Sequence, residues 1–165
     1  MQPSTSIWIN STLKDVWKLK LSDKVKYFLW RGLTNFLPTS DNLVRRQIQI
    51  DTACKFCGHC KELVVHLFNT CKMARGVCKE LTVQEEIEGA ITFQDVFEQR
   101  KCRLPKNKFL IWVTYMWDLW YQRNLKTNGE PFRAAKEITS FAEGFLINHI
   151  YAPEQWKEIS SRILV

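Results

Sequence analysis

Three cysteines and a histidine, Cys54, Cys57, His66 and Cys71, occur in the order Cys-x2-Cys-x8-His-x4-Cys. Thiolate sulfur and imidazole nitrogen are the donors a tetrahedral Zn²⁺ ion takes, and a two-residue gap lets both ends of one tight turn reach the same ion. Gly58, directly after the second cysteine, has no Cβ and suits the positive φ such a turn needs. Four ligands close the coordination shell, whereas a catalytic zinc keeps one position open for water beside a general base. The set is therefore expected to hold structural Zn²⁺. Glu62, four residues before His66, is read as a hydrogen-bonding support or a first-turn helix anion rather than a base. His59 and Cys60 crowd the same loop, and Cys60 is an alternative to Cys57. Cys78, Cys102 and His149 are read as residues without a ligand role. The chain has no glycine-rich phosphate loop, nucleophile elbow or polymerase aspartate pair, so a non-enzymatic protein is expected.

The ligands need elements to position them, and 165 residues suffice for one domain, or one domain with a small metal-dependent lobe. Seven Trp and ten Phe supply a packed core, while only six Gly and five Pro argue against a disordered or collagen-like chain. No basic region followed by an apolar stretch opens the chain, and no run approaches a membrane span. The expectation is an intracellular protein of the nucleus or cytoplasm, not secreted, with no membrane or small-molecule partner. In a reducing compartment, six cysteines favour metal binding over disulfides.

Nearly every segment carries apolar residues at helical period. Val25, Phe28, Leu29, Leu33 and Phe36 mark a helix over 23–36 that Pro38 stops, and Thr39 suits the N-cap of a short helix over 40–47 with Leu43 and Val44 inward. Helices are expected over 62–70, carrying His66, and over 73–81. Residues 100–108 are basic and contain Pro105, which marks a linker and a subdomain boundary. The strongest pattern, over 106–126, places Phe109, Trp112, Val113, Met116, Trp117, Leu119 and Trp120 around more than half of a helix, which predicts a mostly buried rod. Asn128-Gly129 stops it. A further amphipathic helix over 132–150 aligns Ile138, Phe141, Ala142 and Phe145, and a last short one is expected over 154–164. No alternation of Val or Thr suggests a sheet. The predicted fold is all-α, a helical bundle with a zinc knuckle inserted after the N-terminal helices, divided into residues 1–100 and a Trp-rich extension over 101–165.

The formal net charge is +7, and the first fifty residues hold eight Lys or Arg against three Asp. Such a balance favours polyanionic partners. Between residues 14 and 46 the cations alternate with Trp17, Tyr27, Phe28 and Trp30, a mixture suited to phosphate contact and to stacking on unpaired bases. Lys24, Lys26, Arg31, Arg45 and Arg46 are the candidate nucleic-acid-binding residues. Against that reading, the period cannot place Phe28 and Trp30 on one side of a helix, so part of the aromatic set belongs to the core.

Taken together, Trp17-Lys-Leu-Lys20, Phe28-Leu-Trp-Arg31, Leu37-Pro-Thr39, the four ligands in order and Ala74-Arg75 resemble the zinc-binding domain of plant LINE-type reverse transcriptases over residues 15–78. Trp120-Tyr-Gln-Arg-Asn124 is similar to a Trp-x2-Arg-Asn element that follows it. Ser22-Asp23 replaces a proline usual in the family, and Cys78 stands where the family has tryptophan. The resemblance implies that Cys54, Cys57, His66 and Cys71 hold zinc and that the module handles RNA or template beside a polymerase. With neither neighbouring enzyme in this sequence, the expectation is a retrotransposon-derived, free-standing copy that binds RNA or single-stranded DNA. The alternative is a host-adopted module that binds protein and acts in defence, reproduction or growth regulation.

Overall fold

The computed structural model describes residues 5–151, with side chains from 10 to 149, so the expected helix over 154–164 lies outside the described residues. Seven α-helices follow in order: α1 (Thr5–Lys18), α2 (Asp23–Leu33), α3 (Ser40–Arg45), α4 (Lys72–Glu80), α5 (Phe93–Arg103), α6 (Lys106–Thr127) and α7 (Ala135–Leu146). A π-helical turn, His66–Thr70, precedes α4, and a second, Ile147–Tyr151, continues α7. No strand occurs among the described residues, and no helix among them is long and apolar enough to cross a membrane. The all-α expectation holds.

The rod is α6. Phe109, Trp112, Val113, Met116 and Leu119 are buried along it, as the pattern predicts, and Asn128 with Gly129 at φ 75° ends it. An aromatic chain ties the other elements to this rod. Phe28 of α2 meets Phe68 of the π-turn edge-on at 5.4 Å, Phe68 meets Phe93 of α5 at 5.1 Å, and Phe93 faces Trp112 at 6.4 Å. A continuous apolar core therefore runs from the N-terminal helices through the ligand-bearing turn into α6. Gly32 makes the α2–α5 approach possible, since a Cβ there would lie 2.8 Å from the Phe93 ring. Thr92 and Asp95 form a reciprocal capping box at the start of α5.

Several boundaries differ from the sequence pattern. The helix predicted over 23–36 ends at Leu33, because Asn35 takes a left-handed φ of 56° and turns the chain before Pro38 can act. Thr39 caps α3 by accepting from the Asn42 amide, as expected, but α3 stops at Arg45. Its inward face is polar: Ser40, Asp41 and Asn42 are buried, Leu43 is half-buried and Val44 is exposed. The reason is the carboxylate of Glu62, which occupies the space beneath Ser40. Glu62 itself precedes the helical turn, which begins at Val64. Residues 100–103 are helical, with Arg100 buried against Trp112. On α7 the buried stripe is Ile138, Ala142 and Leu146, while Phe141 and Phe145 are half-buried and His149 is exposed, stacked on Phe145.

Candidate metal centre

Two short pieces of chain bring the four donors together. The first is the knuckle, where the Gly58 amide donates to the Cys54 carbonyl and the Cys54 amide donates to the His59 carbonyl, both at 2.8 Å. Gly58 adopts φ 75°, the left-handed conformation for which the sequence reserves a glycine. The Thr52 carbonyl accepts from the Glu62 amide and the Thr52 hydroxyl donates to the Cys60 carbonyl, which closes the base of the loop. The second piece is the π-turn. The Cys71 amide donates to the His66 carbonyl at 2.8 Å, so His66 and Cys71 bracket a single wide turn.

Cys54 Sγ lies 3.8 Å from Cys71 Sγ, Cys57 Sγ lies 3.3 Å from His66 Nε2, and all four donor atoms fall within 4.8 Å of one another. A tetrahedral ion with metal–sulfur bonds of about 2.3 Å and a metal–nitrogen bond of about 2.0 Å has sulfur–sulfur edges near ~3.8 Å and sulfur–nitrogen edges near ~3.5 Å. The donor set and its spacing fit Zn²⁺. Cys54, His66 and Cys71 are buried, and Cys57 forms the exposed edge. His59 and Cys60 are exposed and lie outside the cluster, as do Cys78, buried beside Arg100, and the exposed Cys102.

Electrostatics favour the metal. A hydrogen bond from the Cys71 thiol holds Cys54 well below the usual thiol range, helped by His66 and by the backbone amides of Cys57 and Phe56, while burial opposes the shift. The same bond, with burial, pushes Cys71 up. Two buried sulfurs at this distance cannot both ionise alone, but a divalent cation between them removes the opposition, and both then bind as thiolates. His66 Nδ1 lies 2.8 Å from the Thr70 hydroxyl. With Nδ1–H donating to that oxygen, Nε2 is left as the ligand atom. His59 stacks on His66 at 4.5 Å and covers its outer side.

Residues 4–77 match the family described as zinc-binding in reverse transcriptase. This segment is similar to reverse-transcriptase zinc-binding domains. No curated protein and no solved structure matches the chain.

Beyond its ligands, the zinc-binding domain is fixed to α6 by residues that the ligand spacing did not reveal. Glu62 accepts from both Nε and Nη2 of Arg123 and from the Ser40 amide at 3.0 Å, and its second oxygen lies 3.5 Å from the Lys55 amide of the knuckle. Glu62 is 0% and Arg123 5% exposed. Phe56, between the first two ligands, faces Phe132 at 6.0 Å, and the Lys126 ammonium lies over both rings. The signal for this junction was present as two separate elements, the glutamate before His66 and the arginine of the Trp-x2-Arg-Asn run.

The five candidate nucleic-acid residues divide by environment. Arg45 is held by Asp41 at 2.8 Å. Lys24, Lys26, Arg31 and Arg46 have no carboxylate partner among the described residues. The Arg46 guanidinium lies 5.5 Å from the centre of the Phe36 ring, which stacks on Trp30 at 6.2 Å with planes 9° apart, and Tyr27 leans on Trp30 at 5.6 Å. Tyr27 and Phe36 are 58% and 54% exposed. Phe28 points into the core, as the helical period required.

Proposed function

We propose that the chain is a plant retroelement-derived protein in which Cys54, Cys57, His66 and Cys71 hold a structural zinc, and in which the α2–α3 face binds RNA or single-stranded DNA without catalysing a reaction. The ring ladder Tyr27–Trp30–Phe36, with Tyr27 and Phe36 exposed, Trp30 half-buried between them and Arg46 capping it, carries this reading. Unpaired bases stack on such rings at about 1–3 kcal/mol each, and unpaired cations beside them attract phosphate. Lys24, Tyr27 and Arg31 follow one another at helical spacing, which aligns cations and rings on one stripe of α2. The metal acts from behind this surface: it ties the knuckle to the turn that carries Phe68, and Phe68 packs against Phe28 of α2.

Fluorescence anisotropy with a short single-stranded RNA tests the proposal. Affinity should fall steeply as salt rises, and Lys24→Glu with Arg46→Glu, or Phe36→Ala, should weaken it with zinc content unchanged. Binding that is absent, or indifferent to salt and to these substitutions, overturns it and favours the protein-binding class of function instead.

A further inference from the structure

Arg100 is 2% exposed and has no carboxylate partner among the described residues. Its Nη2 meets only neutral acceptors, Cys78 Sγ and the Glu85 carbonyl, both at 3.5 Å, and its Nε has no acceptor at all. The guanidinium lies 5.8 Å from the centre of the Trp112 ring. A buried cation normally carries a carboxylate partner, because its lost hydration must be replaced. Here the charged side chain acting most directly on it, apart from the Cys78 thiol, is another cation, Arg103, and burial draws the guanidinium below its ordinary pKa.

Arg100 lines a cavity of ≈ 300 Å³ in the cleft where α5 turns into α6, and Arg103, Lys108, Thr82, Gln84 and Pro105 share the wall. No carboxylate lines it. Arg103 is bonded to the neutral amide oxygen of Gln84 at 3.0 Å, and Lys108 reaches only the Thr82 hydroxyl at 3.5 Å. The cavity reaches Pro105 and Lys108 at the start of α6, whose first turn contains no acidic residue, although the Lys108 amide already donates to the Asn107 side-chain oxygen at 2.9 Å. Lysines at a helix N-terminus oppose the dipole, and that end of a helix favours anions. Three cations, a positive helix end and neutral acceptors thus surround one small space. Lys108 stands fifteen residues before Arg123, roughly 22 Å away along α6 at about 1.5 Å per residue, so this space is separate from the metal centre.

We infer that the α5–α6 cleft is a phosphate-binding site, with Arg100 at its floor and Arg103 and Lys108 at its rim. The ligand is a phosphate group of either a small free ester or the 5′ end of a nucleic-acid strand. The site does not depend on the α2–α3 face.

The test uses the full zinc-loaded chain and inorganic phosphate. Calorimetry should show saturable binding that chloride at matched ionic strength does not reproduce, and phosphate should raise the melting temperature. Arg103→Gln with Lys108→Gln should weaken phosphate at least tenfold, whereas Lys14→Gln with Lys136→Gln, equal in charge change, should not. Zinc content and circular dichroism establish that both variants fold, and Lys108→Gln alone serves if the double variant does not. Displacement of phosphate by a 5′-phosphorylated oligonucleotide but not its 5′-hydroxyl form identifies a strand end, and displacement by neither identifies a small ester. Absence of saturable binding, or equal binding by the two double variants, overturns the inference.

Discussion

Glu62 and Arg123, 61 residues apart, form a buried ion pair that joins the base of the metal knuckle to the central helix. Ser40 completes the junction through its amide and hydroxyl, so the start of α3, the knuckle and α6 meet at one carboxylate. Removing either charge alone leaves the other desolvated and unpaired, at a cost of about 3–5 kcal/mol. Glu62→Ala and Arg123→Ala are each expected to lower stability by that amount in urea unfolding, and Glu62→Leu with Arg123→Met should recover much of the loss. A cost below ~1 kcal/mol for both single variants would show that water, not the partner, satisfies the pair.

Zinc removal should be felt well beyond its ligands. Structural zinc binding is worth on the order of 10 kcal/mol, comparable to the stability of a whole domain. A chelator should therefore unfold at least residues 50–80 and, through Phe68 and Glu62, loosen α2 and α6. Cys57→Ser and His66→Ala should each abolish stoichiometric zinc, while Cys60→Ser should retain it, read by metal analysis of the purified protein. Full zinc in Cys57→Ser together with loss in Cys60→Ser would transfer the ligand role.

Asp118 gives a pH signature with a defined sign. Burial, the dominant cause, raises its pKa, while Gln122 and Arg133 pull it back. The folded state then binds a proton that the unfolded state has already lost, so this group's contribution is greatest below the ordinary carboxylate pKa and is lost as pH rises through the raised value. Asp118→Asn keeps an acceptor for Gln122 and cannot ionise. Relative to the parent, its stability should climb between about pH 4 and pH 7. A difference that stays flat or falls across that range would place the Asp118 pKa at or below normal.

How much of this was legible beforehand depended on the range of the interaction. Local signals held: ligand spacing, Gly58, the Thr39 cap, and the apolar stripe of α6 all act within one turn or one helix. The inward face of α3 was not legible, because Ser40, Asp41 and Asn42 look like a solvated face until Glu62 is placed beneath Ser40. Arg100 reads as one of a linker's cations, and only the packing of α5 on α6 buries it. The end of α2 escaped because Asn35, one of the few residues that tolerates left-handed backbone, pre-empts the more conspicuous proline.

Thr70 offers the finest test of the centre, because it never touches the metal. Its hydroxyl lies against His66 Nδ1 from four residues away, a geometry set by the π-turn. If that oxygen fixes the tautomer and the ring angle, Thr70→Val, which preserves shape and removes the acceptor, should weaken zinc by about 10–100-fold. Thr70→Ser, which restores an oxygen, should recover most of that loss. Competition with a chromophoric chelator measures all three affinities, and a thermal melt of each zinc-saturated form separates orientation from packing. Equal affinities for Thr70→Val and the parent would mean that the stacked His59 ring and the protein core hold His66 in place without the hydroxyl.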